Sequence, residues 1–129
     1  MNRHNARRNA MIVVYQSLIK KVSPLEILET GFSTEEFIPP FDLDPYFEVI
    51  VEMIATYKDE FIEAIASGLN DWSFARLGYI EQAILLVAYA ELVSKQTDRA
   101  IILDQAVTLA KSYGEEQSYK LINGTLDHL

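Results

Sequence analysis

Cysteine is absent from the 129 residues. Small secreted domains commonly lean on disulfides because their cores are thin, so a chain without any is expected to be intracellular and held by its core alone. Histidine is almost as scarce. His4 and His128 stand near the two ends, neither at metal-ligand spacing from an acid, so no metal site is expected. The five glycines, Gly31, Gly68, Gly78, Gly114 and Gly124, are isolated, which excludes a phosphate-cradling loop. No nucleophile elbow occurs, and acidic pairs such as Glu35-Glu36 and Glu115-Glu116 suit solvated helix starts. On these grounds neither a cofactor nor an enzymatic activity is expected. Long apolar runs are missing too. The most apolar stretch, Ala83 to Leu92, is interrupted by Glu91 and preceded by Glu81, so it cannot supply the roughly 20 apolar residues of a membrane span. The segment Met1 to Arg8 is polar and basic, without the cleavage pattern of a signal peptide.

What is present is a foldable composition, half apolar and 23% charged, of a size that suits one domain. The net charge of −8 is unevenly spread. Residues 1–21 hold Arg3, Arg7, Arg8, Lys20 and Lys21 and no acid, giving +5, whereas residues 22–129 hold six basic residues and all nineteen acids, giving −13. An acidic body repels nucleic acid at long range, and a basic segment on it is the place where a polyanion could dock. Charge alone leaves this segment equally readable as a solvated helix start.

Helical periodicity dominates. Residues 3–21 place Ala6, Ala10, Val13, Val14 and Leu18 on one face. Ser23-Pro24-Leu25-Glu26 starts a short helix that should stop at Gly31. Residues 32–42, with Pro39-Pro40, read as a loop, with one helical turn near Thr34–Phe37. Asp44-Pro45 starts a third helix with the stripe Phe47, Ile50, Ile54, Tyr57, Phe61 and Ile65, ended by Gly68. Asp71 can cap a brief turn over Trp72 to Leu77. Tyr79 to Lys95 is apolar on most sides and so belongs in the centre. Asp98 can cap a helix that Gly114 ends, and Glu115-Glu116 suit the first turn of the last. With no strand-like alternation, the expectation is an all-α domain spanning 1–129. It has about six or seven helices in two small bundles, divided into 1–68 and 69–129.

Arg3 and Arg7 form one row on the first helix, and His4 and Arg8 form its neighbour. Tyr15, seven residues after Arg8, projects on nearly the same side. Guanidinium groups that take phosphates, beside a ring that can stack a base, suit single-stranded RNA. Spacing alone favours a core tyrosine and solubilising arginines over an RNA-binding face. The last helix offers Gln117, Ser118, Tyr119, Lys120 and Asn123 as a second polar group. Gly124 inside that helix costs about 1 kcal/mol against alanine, which close packing against another helix would explain.

These residues also fall into a recognisable order. Arg3-His4-Asn5-Ala6-Arg7 followed by Tyr15-Gln16, then Ile80-Glu81-Gln82-Ala83-Ile84-Leu85 with Glu91-Leu92, resembles the NusB family. So do Asp104-Gln105-Ala106-Val107-Thr108-Leu109-Ala110-Lys111-Ser112-Tyr113-Gly114 and Ser118-Tyr119-Lys120-Leu121-Ile122-Asn123-Gly124-Thr125-Leu126-Asp127. The resemblance implies a NusB-like all-α fold and a bacterial, cytoplasmic transcription antitermination adaptor. Such an adaptor binds boxA RNA with NusE, a small-subunit ribosomal protein, within the RNA polymerase antitermination complex. It suppresses premature termination on ribosomal RNA operons. By position the implied RNA contacts are Arg3, His4, Arg7, Arg8, Tyr15, Gln117, Lys120 and Leu121, with Glu81 on the partner surface. The chain departs from the family pattern at Arg8, Leu86, Ala90, Gln105, Thr108 and Leu121, the last replacing a ring that could stack. The lost ring and the acidic body motivate an alternative, a protein-only interaction module. An enzyme fragment, in which this fold precedes a methyltransferase domain, is not expected at this length. The resemblance is compatible with a monomer or a homodimer.

Overall fold

The computed structural model describes residues 3–30, 45–69 and 73–129. Among them are six α-helices: α1 (Arg3–Lys20), α2 (Pro24–Thr30), α3 (Pro45–Ala66), α4 (Tyr79–Ser94), α5 (Arg99–Tyr113) and α6 (Ser118–Asp127), with a 3-10 turn at Phe74–Arg76 before α4. No strand occurs among the described residues. The expected stop at Gly31, the loop with Pro39-Pro40 and its turn at Thr34–Phe37, the Asp44 and Asp71 caps, and Trp72 lie outside them.

The helix ends follow the chemistry of orphan backbone groups. At the end of α1, Lys21 turns left-handed (φ 59°) and the Val22 N–H donates to the Ser17 carbonyl at 3.1 Å. That is the closing bond of a Schellman turn, made here without glycine. The Ser23 hydroxyl accepts from the Leu25 N–H at 3.2 Å and caps α2. Lys95 also turns left-handed (φ 57°), and its own N–H donates to the Glu91 carbonyl at 3.2 Å to end α4. Two expectations change. Asp98 occupies the cap position of α5, but its carboxylate makes no cap bond. Glu115 and Glu116 precede α6 rather than opening it, and Ser118 serves that turn by accepting from the Glu115 N–H at 3.0 Å.

Helices α1, α2 and α3 pack on one another, α5 packs on α6, and α4 touches α1, α3, α5 and α6. The central position explains why α4 is apolar on every side, with Ala83 to Ala88 buried. One cluster runs from Met11 and Val13 through Ile50, Ile54, Leu85 and Leu86 to Ile102, Ile122 and Leu126. The stripe of α3 is buried at Phe47, Ile50, Ile54, Phe61 and Ile65, but Tyr57 is half exposed. Tyr57 leaves helical geometry (φ −118°, ψ 19°), and the kink swings its ring away from the core, 6.1 Å from Phe61.

The glycine needed for close packing is Gly68, not Gly124. A Cβ at Gly68 would sit 2.7 Å from the Thr125 carbonyl oxygen of α6, whereas one at Gly124 would meet nothing within 4 Å. Gly68→Ala should therefore destabilise the fold by about 1–3 kcal/mol, because the neighbour is backbone and cannot rotate aside. Urea denaturation checks this, and an unchanged midpoint would contradict the packing described.

Candidate nucleic-acid interface

The basic rows of α1 do not both face solvent. Arg7 is only 4% exposed, and its Nε donates to Glu91 Oε1 of α4 at 2.6 Å. The Tyr46 hydroxyl of α3 donates to the same oxygen at 2.6 Å and stands 2.9 Å from the Thr97 hydroxyl. Arg3 closes the group. It donates to the Gln96 carbonyl at 2.7 Å and to Thr97 Oγ1 at 2.8 Å, with its guanidinium 4.5 Å from the Tyr46 ring centre. The Arg3–Arg7 row thus knits α1 to α3, α4 and the turn after α4. His4 is exposed, with Nδ1 2.8 Å from Gln105 Oε1 of α5. Arg8 is half-buried, and its Nε is enclosed without a hydrogen-bond partner.

Burial pushes the Glu91 carboxyl above its ordinary value, and the Tyr46 hydroxyl and Arg7 guanidinium pull it back without offsetting burial. Burial and the bond to Glu91 likewise raise the Tyr46 phenol.

The other expected residues converge elsewhere. Tyr15, Glu81, Gln117 and Leu121 line an open groove of about 620 Å³. The groove is built from the middle of α1, the 3-10 turn, the start of α4, the end of α5 and the start of α6. Sequence reasoning missed three of its members. Tyr79 (43% exposed) and Tyr113 bring the tyrosines to three, and exposed Arg76 adds a cation. No periodicity could have found them, because Arg76 and Tyr79 flank the turn before α4 and Tyr113 stands at the far end of α5. The signal available was only the clustering of tyrosines at helix ends. Aromatic faces beside a cation and amide groups suit unstacked bases.

Glu81 has a structural task in this groove. Its Oε1 accepts from the Gly78 N–H at 3.1 Å, and its Oε2 accepts from the Ser118 hydroxyl at 2.8 Å. One carboxylate therefore holds the start of α4 to the start of α6. Lys120 is exposed on the neighbouring side of α6, outside this groove. The structure thus brings Tyr15, Glu81, Gln117 and Leu121 together and sets Arg3, His4, Arg7 and Lys120 apart from them.

The folded chain holds a proton on Glu91 more tightly than the unfolded chain does. That contribution to stability is lost as pH rises from the ordinary carboxylate range through the raised value. Arg7→Ala removes the compensating cation and lifts the carboxyl further. We expect a loss of about 3–5 kcal/mol at pH 8 and a smaller loss at pH 5, because the raised carboxyl needs the cation less as pH falls toward it. Urea denaturation at the two pH values checks it, and equal losses would count against the buried pair as described.

The model of the NusB family matches residues 4–129. The transcription antitermination protein NusB of Exiguobacterium sp. (strain ATCC BAA-1283 / AT1b) is 32% identical over 130 residues, covering 100% of this chain and 97% of its own. The T. maritima NusB structure superposes with a TM-score of 0.84 at 23% identity, covering 99% of this chain and 89% of that one. A crystal structure of antitermination factors NusB and NusE in complex with dsRNA superposes with a TM-score of 0.76 at 26% identity, covering 98% and 93%.

Proposed function

The chain belongs to the NusB family, and on that premise we propose that it is a transcription antitermination adaptor that binds boxA RNA together with NusE. It works in the bacterial cytoplasm with RNA polymerase, reduces premature termination on ribosomal RNA operons, and carries no catalysis of its own. The observation that carries the RNA half of this reading is the groove, where Tyr15, Tyr79 and Tyr113 meet Arg76 and Gln117. Stacking on a ring is worth about 1–3 kcal/mol per base and tolerates any base, while amide and backbone groups beside it select among them. Arg8 supplies charge along α1, and His4 offers an exposed ring beside it. Arg3 and Arg7 act by holding α1 in register, since their guanidinium groups are already occupied by Tyr46, Thr97 and Glu91.

One observation favours a second reading, a module that binds protein and little RNA. Two of the cations expected to meet phosphate, Arg3 and Arg7, are engaged in internal bonds, on a chain of net charge −8. Titration of labelled boxA RNA, with and without the cognate NusE, separates the two readings. The antitermination reading expects preferential boxA binding that tightens with NusE and falls steeply with salt. Tyr15→Ala should weaken it by about tenfold, in line with one lost stacking contact. Binding of NusE with no boxA preference at low salt would leave only the protein module.

A further inference from the structure

A second groove, of about 610 Å³, runs between α5 and α6 and is not used by the reading above. Lys111 of α5 and Lys120 of α6 converge there on one ring, with their ammonium nitrogens 5.0 and 6.0 Å from the centre of Tyr119. Both lysines are exposed. The single ion pair among the described residues is Arg7–Glu91, so neither lysine is matched by a carboxylate within bridging distance, on a chain with nineteen acids. Asp104 also lines the groove but lies beyond bridging distance of both lysines, which leaves their paired charge open to an anion.

Gly124 lines the same groove and is a second, independent observation. It is exposed, lies inside α6, and has open space where its side chain would be. Nothing in the fold requires glycine there, although glycine weakens a helix interior. A missing side chain in an open groove lets an incoming molecule approach the helix backbone, and Asn123 beside it offers an amide.

The two grooves share α6. Ser118 and Leu121 face the tyrosine groove, and Tyr119, Lys120, Asn123 and Gly124 face this one. From Ser118 to Gly124 is about 9 Å along the axis. We propose that the α5–α6 groove is a second RNA subsite, which takes the strand as it leaves the tyrosine groove. Lys111 and Lys120 hold successive phosphates there, and Gly124 admits the sugar–phosphate backbone against α6. This rests on the antitermination reading. A strand crossing the start of α6 is favoured over an acidic peptide because it supplies regularly spaced charges and is continuous with the first groove.

The test compares a boxA RNA of about 10 nucleotides with the same RNA carrying about four extra uridines at each end. The native protein should bind the extended RNA about tenfold more tightly. Lys111→Gln should remove most of that gain and lower the salt slope by about one, leaving the short RNA unaffected. Gly124→Ala should raise the melting temperature by about 2–4 °C yet lose the same gain, a combination that mere damage to the fold does not produce. Equal binding of short and extended RNA by the native protein would overturn the second subsite while leaving the antitermination reading intact. So would variants that keep the full gain, or a Lys111→Gln defect seen with NusE alone. Failure of the native protein to bind either RNA would overturn both.

Discussion

The carboxylate of Glu91 is the point on which the N-terminal helices are fixed. It is the buried acid in the last turn of a largely apolar helix, whose other acid is Glu81 at the start, and it accepts from Arg7 of α1 and Tyr46 of α3 through the same oxygen. A charge taken out of water is tolerable only when such partners surround it, and losing one leaves the other exposed to the full penalty of burial. The arrangement therefore specifies geometry more than it adds stability. α1 can slide neither along α4 nor around it without stranding a guanidinium, and the orientation of α1 decides where Tyr15 points.

That constraint also divides the labour of the basic N-terminus. A stretch with five cations and no acid invites the reading that all of them meet a polyanion. Two are committed to internal bonds instead, and in the proposed reading recognition passes to the rings and the amide gathered at the helix ends. The groove depends on the cross-tie from Gly78 through Glu81 to Ser118, which keeps the starts of α4 and α6 side by side.

Most of the helices were legible in the sequence because their signals are local. Proline at a first turn, apolar residues three and four apart, and the all-round apolar character of Tyr79 to Lys95 place five of the six nearly where they stand. The failures are places where distant residues decide. Tyr57 fits the stripe of α3, but the kink at that residue turns it outward. Gly124 looked like a packing glycine and Gly68 like a simple stop, and their roles are reversed because only the fold brings Thr125 against Gly68. The site was half legible. Tyr15, Gln117 and Leu121 carry a family pattern, while Tyr113 at the end of α5 joins Arg76 and Tyr79 around the start of α4 only once those helices have docked.

The tyrosine groove also links its own integrity to the docking of one short helix. One of its walls is the start of α6, and another includes Tyr15 of α1, about a hundred residues earlier in the sequence. A chain that has buried α1, α3 and α4 still has no complete groove until the ten residues of α6 dock. Because a ligand stabilises only the state that binds it, a molecule held there would clamp α6 against α1 and suppress local opening of α6.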